Sequence, residues 1–184
     1  MTAYYQEDLL GLESLRGLRL TTPSEPLPKF AGRVIVQEQR GPQFGNQFRD
    51  LGPEGSVLVG LRLGKGQSWG GAIQNIQPIY QLQDKYLLGK THGKPGADIH
   101  QVIAKPGYAI GALHIRQGLV LNAVQVIYCR VDGDRLDVAD RYATTWIGCD
   151  GGGPTLLDGR GMPLAGITGS YQDDLHQLGI ATLE

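Results

Sequence analysis

The C-terminal stretch YQDDLH places four side chains that could bind a polar ligand within six residues: Tyr171, Asp173, Asp174 and His176. An ionised carboxylate accepts charge-assisted hydrogen bonds from hydroxyl groups, and a histidine ring nitrogen either donates or accepts. A tyrosine ring can stack against the apolar face of a pyranose. Together these residue types could bind the hydroxyls and the ring of a sugar.

Two other kinds of site use the same residue types. Asp173 and Asp174 could bind a cation, but two adjacent carboxylates without a loop of recurring oxygen ligands are weak support for calcium, and we predict no metal site. Two acids and a histidine could also act as acid–base catalysts. Such a run is most often a solvated hairpin tip, so no catalytic residue is predicted. His92 and His100 lie eight residues apart with no third ligand nearby, which disfavours a metal site there as well.

Composition and motifs exclude several classes of protein. The 184 residues include 17 Lys and Arg against 18 Asp and Glu, and the basic residues are scattered, so no nucleic-acid partner is expected. No apolar run is long enough to span a membrane and no signal-peptide pattern opens the chain, so we expect a soluble protein without membrane insertion. The loop GCDGGGP is not followed by Gly-Lys-Ser/Thr or by a helix, and no cofactor is predicted. The two cysteines, Cys129 and Cys149, could pair or stay reduced.

The elements that would position the YQDDLH cluster are predicted to be β-strands. Runs rich in Val, Ile, Leu and Tyr recur from Arg33 onward, broken by Gly, Pro, Asn and Asp about every ten residues. Residues 1–31 are predicted to form an N-terminal arm, in which a short leucine-containing helix precedes the Pro-rich linker TTPSEPLPK. No helix is predicted after residue 31. One all-β domain is therefore expected over residues 32–184.

Within this domain one pattern occurs three times. Apolar–Gly–apolar strands contain Gly60, Gly111 and Gly166, which are separated by 51 and 55 residues, and a turn with Pro and Gly precedes each strand. A glycine-rich loop lies upstream of each turn, and a second strand that opens with a polar residue follows each first strand. These opening residues are Gln74, Asn122 and His176. Three such units can bury their apolar faces by packing around a pseudo-threefold axis.

This arrangement of glycine-rich loop, turn, apolar–Gly–apolar strand and returning strand resembles the jacalin-related lectins and the vitelline membrane outer layer protein. The resemblance implies a β-prism, in which three Greek-key sheets form the sides. It covers about residues 33–184 and implies repeats at about 32–85, 86–140 and 141–184. In these lectins sugar binds at one end of the prism, where a glycine-rich loop of the first repeat meets the loop between the last two strands.

The resemblance also implies a register for the site. In the lectins the Asp of a Gly-x-x-x-Asp string directly precedes the returning strand. Here the string that begins at Gly169 ends at Asp173, and His176 occupies the position of the lectin Asp. The predicted carbohydrate-binding site consists of Gly45, Asn46, Gly169, Ser170, Tyr171, Asp173, Asp174 and His176, with Trp69 and Asn122 as secondary candidates.

Some of these residues also have a purely structural interpretation. Gln74, Asn122 and His176 could hydrogen-bond loop amides at the start of their own hairpins. Trp69 and Trp146 could fill the core, which we favour for Trp146. The predicted function is a non-enzymatic carbohydrate-binding module whose partner is a glycan or polysaccharide, with homo-oligomerisation as a source of avidity. A structural or protein-interaction module is the alternative, and a glycan-active hydrolase has less support.

Overall fold

The computed structural model describes residues 20–37, 39–96 and 98–184, and β-strands dominate these ranges. The predicted N-terminal helix lies outside the described residues. A short 3-10 helical turn covers Ser68–Gly70. The strands are β1 (Val34–Val36), β2 (Asn46–Leu51), β3 (Val57–Lys65), β4 (Ile73–Leu82), β5 (Lys85–Leu88), β6 (His92–Gly93), β7 (Asp98–Ile103), β8 (Tyr108–Gln117), β9 (Leu121–Asp132), β10 (Arg135–Ala143), β11 (Ile147–Gly148), β12 (Gly153–Asp158), β13 (Leu164–Tyr171) and β14 (Leu175–Leu183).

The strands form three antiparallel sheets, each built around one hairpin. Sheet 1 has the strand order β5-β4-β3-β7, with the short β6 also paired to β4. Sheet 2 has the order β10-β9-β8-β12, with β11 also paired to β9, and sheet 3 has the order β1-β14-β13-β2. The central hairpins β3–β4, β8–β9 and β13–β14 contain the three predicted pairs of strands. The structure therefore confirms the predicted all-β prism of three sheets.

Each central hairpin also pairs with a strand that does not adjoin it in the sequence. β7 precedes β8 in the sequence but pairs with β3, and β12 precedes β13 but pairs with β8. In the same way β2 precedes β3 but pairs with β13, near the end of the chain. Sheets 1 and 2 each consist of consecutive strands, β3 to β7 and β8 to β12, whereas sheet 3 joins β1 and β2 to β13 and β14. The repeat boundaries at 32–85, 86–140 and 141–184 stay a prediction.

Inward-facing side chains of the three hairpins form one core. Leu61 and Leu63 of β3, Leu113 and Ile115 of β8, and Ile167 of β13 are fully buried. They follow the two-residue period of a strand, which points alternate side chains to the same face. Burying one such side chain is worth roughly 1.5–3 kcal/mol relative to leaving it exposed. This shared core holds the three sheets together.

The repeated glycines lie at a β-bulge in each hairpin. The ladder skips Val59 in β3, Gly111 in β8 and Ala165 in β13. The carbonyl oxygen of each skipped residue accepts a hydrogen bond from a turn amide, at 2.8, 3.0 and 2.9 Å respectively. Gly60 and Gly166 directly follow their bulged residues, whereas Gly111 is itself the bulged residue. The predicted alignment of Gly111 with the other two glycines is therefore wrong by one residue.

Two side chains of the predicted N-terminal arm belong to the core. Leu27 and Phe30 are both buried. The Leu27 amide donates to the Gln83 carbonyl oxygen at 3.2 Å, and the Phe30 amide donates to that of Gly55 at 3.1 Å. This segment is therefore attached to one end of sheet 1, at the turns before β3 and after β4. The division of the chain at residue 32 stays a prediction.

Two further properties complete the fold. Cys129, which is buried in β9, and Cys149, which is half-buried after β11, are both free thiols. Within the described ranges, no helix has the length and apolarity needed to cross a membrane.

Candidate functional site

The tips of the three central hairpins meet at one end of the prism, which we call the pole. It comprises the tips at residues 66–72, 118–120 and 172–174 and the glycine-rich loops 41–45, 93–96 and 148–152. The indole Nε1 of Trp69 donates to Oδ2 of Asp174 at 3.1 Å, which joins the first tip to the third. Nδ1 of His176 lies 2.8 Å from the carbonyl oxygen of Leu119, which joins the start of β14 to the second tip. The structure thus contains the predicted gathering of turns at a common end.

A glycine with positive φ fixes each glycine-rich loop against the start of a returning strand. Gly41, Gly93 and Gly148 have φ of 110°, 101° and 122°. A Cβ atom at these positions would lie 2.2, 2.0 and 2.2 Å from a backbone carbonyl oxygen. These distances are too short for any side chain, so a residue other than glycine would require a shift of the backbone. The three carbonyl groups belong to His176, Gln74 and Asn122. The three polar positions that open the returning strands are therefore structurally equivalent.

At the pole end of sheet 3, the first glycine-rich loop and the last hairpin lie side by side. Asn46 of β2 pairs with Tyr171 of β13, and a Cβ on Gly45 would lie 2.2 Å from the Tyr171 carbonyl oxygen. Gly45 and Asn46 are exposed, so the backbone of this loop is accessible. The tip with Asp173 and Asp174 continues directly from β13. The eight predicted primary site residues therefore belong to one loop-and-hairpin unit at the pole.

Three of these residues, at the end of β13, are buried or half-buried. A Cβ on Gly169 would lie 2.7 Å from the Phe48 ring and 2.3 Å from the Gln177 carbonyl oxygen, so glycine makes room for the ring. Ser170 is fully buried, and its hydroxyl has no hydrogen-bond partner among the described residues. The half-buried Tyr171 ring packs against Phe48, with ring centroids 6.1 Å apart. Ligand contact by these three residues stays a prediction.

Asp173 and His176 are the accessible polar side chains of the tip. Asp173 is exposed and His176 is half-buried. Because a carbonyl oxygen can only accept, the 2.8 Å contact with Leu119 places a proton on Nδ1 of His176, and Nε2 of the neutral ring is then an acceptor. The Phe44 ring lies edge-on to this imidazole, with centroids 5.5 Å apart and planes at 85°. The tip thus presents an exposed carboxylate and, against an aromatic ring, an imidazole acceptor.

Asp174 is buried and holds Trp69 at the pole. Its Oδ2 accepts the indole N–H, while its Oδ1 is buried and lacks a partner among the described residues. Trp69 is exposed and has a φ of 56°, a conformation that bulky residues rarely adopt. Its carbonyl oxygen accepts a hydrogen bond from the Cys149 thiol at 3.2 Å. Contacts from two other parts of the chain therefore fix an exposed indole beside the third tip.

Neither the tip nor its surroundings supply a set of metal ligands. In the part of the chain that the structure describes, no group of three or more His, Cys, Asp or Glu residues could hold a metal ion. One of the two adjacent carboxylates, that of Asp174, is already bonded to the Trp69 indole.

Asn122 is a buried residue of the second central hairpin, and Trp146 lies just before β11. Nδ2 of Asn122 lies 3.6 Å from Sγ of Cys149, and its Oδ1 has no hydrogen-bond partner among the described residues. Ligand contact by Asn122 stays a prediction. Trp146 is half-buried outside the core, with the Arg116 guanidinium 4.8 Å from its ring. The prediction of Trp146 as a core residue is wrong, because the adjacent Ile147 takes the inward position at the start of β11.

The sequence interpretation missed two apolar side chains at the pole. Phe44 in the first glycine-rich loop and Leu119 in the second tip are large and exposed. Both occur in short glycine-containing turns, in the strings GPQFGN and QGLV. A large apolar residue in an otherwise polar turn was the signal that could have identified them.

Comparison with known proteins agrees with this geometry at the level of the fold. No protein-family model and no curated protein sequence matches the chain significantly. Among solved structures, Malaysian banana lectin superposes with a TM-score of 0.63 at 14% identity, over 82% of this chain and 99% of the lectin. A mannose-binding jacalin-related lectin from Ananas comosus gives 0.62 at 15% identity, over 82% and 97% of the two chains. Artocarpin complexed with Me-alpha-mannose gives 0.62 at 17% identity, over 83% and 99%. The resemblance to jacalin-related lectins is thus confirmed for the fold, and the chain has a jacalin-like β-prism.

Proposed function

We propose that this chain is a non-enzymatic carbohydrate-binding module that binds a sugar at the pole of the third repeat. The observation that supports this most is the tip itself, which has an exposed Asp173 carboxylate and a His176 imidazole that lies against the Phe44 ring, beside the exposed loop at Gly45. Sugar hydroxyls can donate to the two acceptors, and the C–H face of a pyranose can pack against the ring. The fold adds support, because solved neighbours include a mannose-binding lectin and a complex with Me-alpha-mannose.

His176 changes the chemistry of the site relative to the Asp that the lectin resemblance implies. A neutral imidazole offers one acceptor, whereas a carboxylate offers several, so Asp173 has to supply the charge-assisted hydrogen bonds. Protonation of His176 would replace the acceptor at Nε2 by a donor. Affinity at one shallow site is expected to be weak, and homo-oligomerisation would add avidity. Mannose is the first sugar to test.

A protein-interaction module is the second candidate, because three large apolar side chains are exposed at the pole. Phe44, Trp69 and Leu119 have exposed fractions of 51%, 57% and 63%. Exposed apolar patches that polar residues surround often mark sites of protein association. A hydrolase has less support, since its two carboxylates would face each other across a cleft of roughly 5–10 Å. Here Asp173 and Asp174 are adjacent on one tip.

A glycan array with the purified chain, repeated with three variants, tests the proposal. Asp173→Ala and His176→Ala should each weaken binding about tenfold or more, because each removes a hydrogen-bond acceptor. The matched control is Asp134→Ala, an exposed aspartate between β9 and β10, at the opposite end of β9 from the pole. The proposal is wrong if no glycan binds, or if the two tip variants bind as well as the control.

A further inference from the structure

A cavity lies on the side of the prism, between sheet 3 and sheet 1. Residues 49–51 of β2 form one wall, residues 87–90 form the other, and Tyr80 lies beneath them. Its volume is about 500 Å³, which is within the range of roughly 300–1,000 Å³ that is usual for small-molecule sites. We call this cavity the lateral groove. None of its lining residues belongs to the pole.

A buried carboxylate lies at the base of the lateral groove. Asp50 is only 8% exposed, and its Oδ2 accepts the Lys90 amide at 2.7 Å and lies 2.8 Å from Nε2 of His92. Its Oδ1 accepts the Tyr80 hydroxyl at 3.0 Å. Burial acts to raise the pKa of Asp50, but the hydrogen bonds from His92, Lys90 and Tyr80 outweigh burial and lower it. Asp50 is therefore an anion whose carboxylate oxygens are already hydrogen-bonded inside the protein.

The pseudo-threefold repeat shows that the fold itself does not need this acid. Val102 in β7 and Leu157 in β12 occupy the register position that Asp50 occupies in β2, opposite an inward-facing residue of the central hairpin. Aliphatic side chains therefore suffice at the two equivalent positions. A buried ion with its partners is often no more stabilising than apolar residues of similar volume, and perturbed carboxyl groups cluster at functional sites. The lateral groove is thus a candidate binding site.

Two cations flank the groove without a charged partner. Arg49 and Lys90 are exposed, and within the described ranges their side chains form no hydrogen bond or ion pair. The equivalent cavity beside β12 has a similar volume of about 470 Å³, but Asp158 and Glu184 line it together with two arginines. In the lateral groove the acid that contributes to the lining is Asp50, whose oxygens are already hydrogen-bonded inside the protein. Arg49 and Lys90 outnumber it. The groove therefore has an excess of positive charge.

The wall that contains Lys90 also has an apolar part, formed by Leu87 and Leu88. Leu87 is half-buried and Leu88 is 46% exposed. Gly89 keeps this wall close to the base, because a Cβ there would lie 2.5 Å from Pro78 and 2.6 Å from Oδ1 of Asp50. A matching ligand has an anionic group for the two cations and a compact body with one apolar face.

We propose that the lateral groove binds a carboxylate-bearing sugar, such as a uronic acid, with its carboxylate on Arg49 and Lys90 and its ring against Leu88. A guanidinium group binds a carboxylate through two parallel hydrogen bonds. A pyranose carries hydroxyls on its rim and C–H groups on its face. It therefore suits an open groove with polar and apolar parts better than a fully apolar chain does. This site is distinct from the pole and takes a ligand of different charge.

Titration calorimetry with the methyl glycoside of glucuronic acid tests the proposal, and three comparators separate its parts. The methyl ester of the same sugar lacks the charge, acetate lacks the ring, and octanoate replaces the ring with an apolar chain. The glucuronide should bind about tenfold more tightly than each of them, because only it combines the charge with the pyranose. Equal binding of the ester, of acetate or of octanoate would overturn the proposal, and so would an absence of binding by the glucuronide.

Variants locate the binding on the chain. Arg49→Gln and Lys90→Gln should each weaken glucuronide binding about tenfold. Arg33→Gln, at an exposed arginine outside the groove, and Asp173→Ala at the pole should leave it unchanged. Thermal denaturation should show that all four variants keep their fold, since these side chains are exposed. Unchanged affinity in both groove variants, or an equal loss in Asp173→Ala, would place the binding elsewhere and overturn the assignment.

Discussion

Replacement of Gly148 by alanine should destabilise the prism through a contact that can be read from the backbone. Gly148 has a φ of 122°, and a Cβ there would lie 2.2 Å from the Asn122 carbonyl oxygen and 2.7 Å from Cα of Ala123. Both contacted atoms belong to the backbone of β9 and cannot rotate away as the end of a side chain could. Either the loop or the strand therefore has to move.

We expect Gly148→Ala to lower the free energy of unfolding by about 2–5 kcal/mol. Left-handed backbone costs a non-glycine residue roughly 1–2 kcal/mol, and relieving the backbone overlap adds roughly 1–3 kcal/mol. Gly133 has a φ of 60°, and a Cβ there would meet nothing within 4 Å, so Gly133→Ala should show only the first cost. Gly153 lacks a positive φ, and a Cβ there would also meet nothing within 4 Å. Gly153→Ala should therefore change the free energy by less than about 0.5 kcal/mol.

Thermal and urea denaturation of the three variants can separate these contributions. For a chain of this size, 1 kcal/mol corresponds to roughly 2–4 °C in Tm, so Gly148→Ala should melt clearly below both controls. If Gly148→Ala and Gly133→Ala were equally stable, the overlap with β9 would contribute nothing. If Gly148→Ala were as stable as Gly153→Ala, the loop glycines would not fix the pole at all.

Three further outcomes are expected. Asp50→Asn should make the free energy of unfolding fall less steeply as the pH is lowered. The pKa of Asp50 is lowered in the folded chain, so the unfolded chain binds the proton first, and the stabilisation from Asp50 is lost below about pH 4. An unchanged acid limb, measured by urea denaturation across pH, would contradict this. Cys149 is half-buried and should react with a thiol reagent in the native chain. Cys129 is buried, and burial raises the pKa of its thiol, so it should react only after unfolding. Equal reaction rates of the two thiols would contradict this difference in burial. Asp174→Ala should lower the free energy of unfolding by about 1 kcal/mol and make Trp69 easier to quench with acrylamide, and unchanged quenching would show that the indole is not held by this bond.

The central hairpins could be predicted because their signal is local. The runs YAIGALHIRQ and LHQLGIATL coincide with β8 (Tyr108–Gln117) and β14 (Leu175–Leu183). Apolar side chains at alternate positions, bounded by turns, define such strands without knowledge of their partners. The edge strands β2, β7 and β12 could not be assigned to sheets, because each pairs with a hairpin in another repeat.

The candidate site was predictable in position but not in detail. The equivalence of Gln74, Asn122 and His176 follows from the repeat, and the loop glycines preserve it in three dimensions. The burial of Ser170 and the packing of Gly169 depend on Phe48 and the first glycine-rich loop, which are distant in the sequence. Such long-range packing leaves no local pattern that one sequence could reveal.

Sugar binding at the pole is tested most directly by following the backbone amide resonances of the isotope-labelled chain during titration with the strongest glycan from the array. We predict saturable shifts at residues 41–46 and 172–176, with residues 133–134 at the far end of β9 unmoved. A glycan that saturates the chain while these pole amides stay in place, and shifts appear elsewhere, would contradict binding of sugar at the third repeat.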